Sequence, residues 1–130
     1  MRQLIESILV IENLPTLETV SLSQVTIHTA QIEVSVDTIS DGRLLLNFCP
    51  YQALKVTTND CFIPPETWKI DRQKVMEVVN SRWCSSLDKN LKLIDQDATF
   101  MDQARHFLLA IDDGFLEIVS HGFTLSEISR

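Results

Sequence analysis

Over residues 2–11, Leu4, Ile5, Ile8 and Leu9 recur at three- and four-residue spacing, a period that predicts a short amphipathic helix stopped by Pro15. Residues 16–24 are mixed and rich in Ser and Thr, which reads as a connection, with Leu17, Val20 and Leu22 available to pin it to a core. The period then changes. Val25 and Ile27 alternate with Thr26 and His28, and Ile32, Val34 and Val36 alternate with Glu33, Ser35 and Asp37. Alternation of this kind is the mark of half-buried strands. Asp41-Gly42 supplies a turn, Leu44, Leu46 and Phe48 resume the alternation, and Pro50 ends it, so a hairpin is predicted over residues 31–48.

Residues 51–63 carry Leu54, Val56 and Phe62 but are punctuated by Asn59-Asp60 and Pro64-Pro65, and they read as irregular. Pro65 suits a helix start, and Ile70, Val75, Met76, Val79 and Trp83 continue an apolar face, which predicts a second helix over about residues 66–82. Residues 84–97 are polar, and the alternation of Leu91 and Leu93 suggests a short strand. Thr99 with Asp102 resembles a capping box opening a long helix on Ala104, Phe107, Leu108, Ile111, Phe115, Ile118 and Val119, closed by His121-Gly122. Gly114 inside that helix implies the close approach of a neighbour. The expectation is one α+β domain over residues 1–130, an antiparallel sheet of three to five strands packed with an N-terminal, a middle and a long C-terminal helix.

Charge narrows the partners. Eighteen acidic against eleven basic residues give a net charge of −7, without a run of Lys or Arg, and this disfavours a nucleic-acid groove, which needs clustered cations. Three cysteines without a C-x-x-C point to reduced thiols, buried as small apolar residues, in a cytoplasmic protein. No stretch approaches the roughly 20 apolar residues that span a bilayer, so no membrane association is expected.

Linear motifs offer no chemistry. Counting from Asp95 as the first position of a calcium loop places Phe100 where glycine is needed and His106 where the bidentate Glu belongs. Asp97 and Asp102 read more simply as acids at a helix N-terminus. His28, His106 and His121 fall on different predicted elements, and His28 reads as the exposed face of a strand. The chain has no G-x-G-x-x-G, no P-loop and no G-x-S-x-G, so neither cofactor nor catalytic residue is expected. Trp68 and Trp83 read as packing residues of one helix. These features argue for a binding module.

The order of elements resembles the class I effector chaperones of type III secretion. Residues 1–10 look like their first helix, residues 43–50 like their third strand with its proline turn, and residues 93–126 like their last strand and closing helix. That resemblance implies a cytosolic homodimer that holds an extended N-terminal segment of a secreted effector for export. It places the partner on Leu4, Ile5 and Ile8 of the first helix and on Leu44 and Leu46 of the strand. An immunity protein, inhibitor or assembly adaptor that binds a folded partner is the alternative.

Overall fold

The computed structural model describes residues 4–18, 23–40 and 42–128. Among them are nine strands, β1 (Ser7–Val10), β2 (Gln24–Ile27), β3 (Ile32–Asp37), β4 (Arg43–Phe48), β5 (Tyr51–Thr58), β6 (Met76–Val79), β7 (Arg105–Ile111), β8 (Gly114–Ser120) and β9 (Phe123–Ile128), and one helix, α1 (Arg82–Ile94). They form a five-stranded antiparallel sheet in the order β1-β6-β7-β8-β5 and a four-stranded one in the order β2-β3-β4-β9.

The two sheets share a corner. After Phe48 the chain leaves the four-stranded sheet through a cis Cys49-Pro50 bond and enters the five-stranded one as β5. Beside it, β8 leaves the five-stranded sheet through His121-Gly122 and returns as β9. Cys49 N–H donates to the Gly122 carbonyl at 3.3 Å and His121 N–H to the Pro50 carbonyl at 3.1 Å, so the two bends stay in register. Residues 11–18 cross between the sheets elsewhere, tied by Leu17 N–H to the Gln73 carbonyl at 2.9 Å and Ile39 N–H to the Thr16 carbonyl at 3.0 Å.

The main core lies between the sheets. Ile32, Val34, Val36, Leu44, Leu46 and Phe48 from one meet Phe107, Leu109, Leu116 and Ile118 from the other. On the opposite face of the five-stranded sheet, Met76, Val78, Leu108 and Phe115 form a second cluster with Ile8, Val10, Phe62, Trp68 and Ile70. The five-stranded sheet is therefore a middle layer. Both faces of β7 and β8 are covered, and every residue of β8 is buried.

The expected hairpin over residues 31–48 is present as β3–β4, with Val34 opposite Leu46 and Val36 opposite Leu44, and β2 is the strand expected around Val25 and Ile27. The three-helix layout is not. Residues 7–10 of the expected N-terminal helix are the edge strand β1, paired with β6. The expected middle helix is turns followed by β6, and the expected long C-terminal helix is the β7–β8 hairpin after a short 3-10 turn. Residues 51–58, read as irregular, are the longest strand, and residues 82–94, read as polar connection and strand, are the helix. A sheet buried on both faces explains the long misreading, because its strands are continuously apolar and lose their period of two. Gly114 does meet a close neighbour, as the first residue of β8: an added Cβ would lie 2.1 Å from the Thr57 carbonyl oxygen.

Candidate functional site

The junction between β6 and α1 concentrates the polar chemistry of the molecule. Asn80 follows the strand with φ of 59°, a left-handed conformation that Asn tolerates, and turns the chain sharply into Ser81. Ser81 is the N-cap of α1, its Oγ accepting from the Cys84 N–H at 3.1 Å. The next orphan donor, the Arg82 N–H, is taken by the Glu6 carboxylate at 2.8 Å. Asn80 Nδ2 donates to the Ile5 carbonyl at 3.1 Å, so the segment before β1 is fastened to this junction from two sides.

Beneath the cap runs a three-residue relay. Ser81 Oγ lies 2.7 Å from His106 Nδ1, and His106 Nε2 lies 2.9 Å from Glu117 Oε1. His106 comes from β7 and Glu117 from β8, on the face of the middle sheet away from the main core. The three residues are 8%, 2% and 4% exposed. Trp83 and Trp68 flank the imidazole edge-on, with ring centres 5.1 and 6.0 Å away, and Lys55 Nζ, from the cross-strand neighbour of Glu117, lies 4.2 Å above the Trp83 ring. In the neutral imidazole form the Ser81 hydroxyl donates to Nδ1 and Nε2–H donates to the carboxylate.

Ser81 lines a surface groove of about 710 Å³ together with Leu4, Asn80, Arg82, Ser85, Ser86 and Lys89. Two cations at its rim stand out on a chain of net charge −7. Nearby, burial pushes the Cys84 thiol pKa up, partly opposed by its hydrogen bond with Ser81. Comparison of the chain with family models, curated proteins and solved structures finds no match. Function therefore has to be argued from geometry alone.

The residues expected to bind a partner separate into two groups. Leu4 and Ile5 are 65% and 66% exposed, Leu4 on the groove lining, and Ile8 packs half-buried on the second cluster. Leu44 and Leu46 are 1% and 0% exposed in the main core, so their side chains present no surface. Cys49 and Cys61, expected to be buried, are exposed; all three cysteines are free thiols. Asp97 opens no helix: it follows the α1 C-terminus, its N–H held by Asp95 Oδ1 at 3.1 Å, and Asp102 lies in the first turn of a 3-10 segment. His28 is on the surface as expected, 2.8 Å from Glu33. Among the described residues no helix is long and apolar enough to cross a membrane.

The relay escaped linear reading because its members are 25 and 11 residues apart on three elements. One local signal existed. A Ser directly after a possible strand and before Trp83, Cys84, Leu87 and Leu91 marks a helix N-cap.

Proposed function

We propose that this protein is a binding protein that takes an extended polypeptide onto the free edge of β1. The observation that supports it is the exposure of Leu9, at 54%, on a strand that among the described residues pairs only with β6, and of Leu4 and Ile5, at 65% and 66%, in the segment leading into it. Unpaired main-chain groups on such an edge accept an added strand, and outward apolar side chains give it area and specificity. Ile8 and Val10 point the other way into the second cluster, which keeps the edge rigid.

The effector-chaperone reading enters on these terms: an extended, apolar segment of a cytoplasmic partner, with a second copy of the chain making a homodimer. The helices that suggested that family are strands here, so the reading rests on the edge rather than on the layout. Ile5→Asp and Leu9→Asp are expected to weaken capture of the partner at least tenfold while leaving the melting temperature within about 2 °C, since neither side chain is in a core. A captured partner that is folded rather than extended favours the inhibitor or adaptor class. Capture unchanged in both variants refutes the edge, and a monomer across a light-scattering dilution series refutes the dimer.

A further inference from the structure

We propose that Ser81 is an acylatable serine, with His106 as its general base and Glu117 as the positioning residue, and that the groove above it is a hydrolytic site for small acyl esters bearing a negative charge. The helix cap alone does not call for this arrangement. A serine N-cap is satisfied by one helix N–H, here that of Cys84, and needs neither a histidine nor a carboxylate behind it. Burying a His–carboxylate pair is costly, and such pairs add little stability over apolar packing, so their presence beneath a largely buried serine that lines a groove calls for another role.

Three further observations agree. The Cys84 N–H occupies one side of Ser81 Oγ and the 2.7 Å contact to Nδ1 aligns its proton with the base, which is the polarity nucleophilic catalysis requires. The serine stands at a sharp strand-to-helix turn made by Asn80, which brings Oγ to the groove while His106 and Glu117 remain buried. Trp68 and Trp83 flank the imidazole, and the water-poor surroundings strengthen its two hydrogen bonds. Arg82 and Lys89 on the groove rim supply the preference for a carboxylate or phosphate on the acyl group.

In the reaction, Ser81 Oγ attacks the ester carbon as its proton passes to His106 Nδ1, and the Glu117 carboxylate holds the imidazolium through Nε2–H. The carbon–oxygen bond to the alcohol breaks and the alcohol leaves with the proton from Nδ1. Water, deprotonated by His106, then splits the acyl-serine to give the acid and free Ser81.

The test is phosphonylation of the full chain by a fluorophosphonate probe, in which Oγ–P forms, P–F breaks and the serine proton goes to His106. The expected result is one label per chain on the Ser81 peptide. Ser81→Asn, which keeps a capping oxygen, takes up no label. Glu117→Gln slows labelling at least tenfold and changes its dependence on pH, an effect that a purely structural carboxylate does not produce in a variant that is still folded by circular dichroism. Hydrolysis of a succinate half-ester is expected to exceed that of a neutral acetate ester, and the gap to shrink in high salt. The inference is overturned if folded wild-type protein stays unlabelled, if the label persists in Ser81→Asn, or if Glu117→Gln reacts at the wild-type rate. No partner polypeptide is needed for any of these measurements, so this result and that for the β1 edge are read separately.

Discussion

Gly114→Ala tests the packing of the middle sheet where tolerance is smallest. The new Cβ would lie 2.1 Å from the Thr57 carbonyl oxygen and 2.9 Å from both Thr57 C and Thr58 Cα, all of them backbone atoms that no rotamer change can clear. Restoring ordinary contact requires β5 to move away from β8 by about 1 Å, a large fraction of the roughly 4.8 Å between paired strands. Overpacking of this kind costs about 1–3 kcal/mol, and loss of the terminal ladder bond adds about 1 kcal/mol. A total near 3 kcal/mol lowers the melting temperature by about 10 °C for a domain of this size. Thermal unfolding followed by circular dichroism reads this directly, with Gly122→Ala as the control, because a Cβ there meets nothing within 4 Å. A fall of less than about 3 °C in Gly114→Ala, or equal effects in the two variants, refutes the reasoning.

Leu46→Ala, at a position with no exposed surface, is expected to cost about 3 kcal/mol in urea unfolding, whereas a residue that binds a partner would be nearly neutral. Arg43→Ala removes contacts to Asp37 at 2.7 Å and Ser35 at 3.0 Å from a largely buried ion pair and is expected to cost about 2 kcal/mol, with the same assay deciding. Thiol titration of native protein should show Cys49 and Cys61 reacting in a fast phase and Cys84 in a slow one. Because burial raises the Cys84 pKa, its reaction should accelerate as pH climbs past the ordinary thiol value, and its contribution to stability should be lost over the same alkaline range. A Cys84 rate equal to the others would contradict its burial.

How much of this was legible depended on whether an element has one solvent face. The β3–β4 hairpin came closest: the part-exposed Glu33, Arg43 and Asn47 and the polar Ser35 alternate with core residues, and Asp41-Gly42 is a turn signal in the sequence. The strands β7 and β8 do not, and Phe107, Leu108 and Leu109 go to two different cores in succession, so their spacing matched a helix as well as a strand. The Asp113-Gly114 pair was the hairpin signal there, outweighed by the apparent helical period. In the first segment the exposed Leu4 and Ile5 before the strand, with Leu9 outward and Ile8 inward on it, gave a helical look to the spacing. Helix α1 was concealed for the opposite reason, since Leu93 and Ile94 are 85% and 89% exposed and none of its residues is fully buried. Of the candidate residues, Leu4 and Ile5 are exposed while Leu44 and Leu46 are in the core, a division their spacing did not carry, and the relay depended on strand register that no linear pattern carries.

The paired bend at the corner has a consequence for how the chain reaches this state. Residues 43–48 find their second partner only in 123–128, and residues 51–58 only in 114–120. A ribosome therefore releases most of the chain before either ladder can close, and loop entropy has to be offset before these distant contacts form. Folding should be slow for the size of the protein, in the range of milliseconds to seconds rather than microseconds. Until the last strand arrives, β4 is an open edge with a hydrophobic face, and that interval during synthesis is when the chain is most exposed to aggregation.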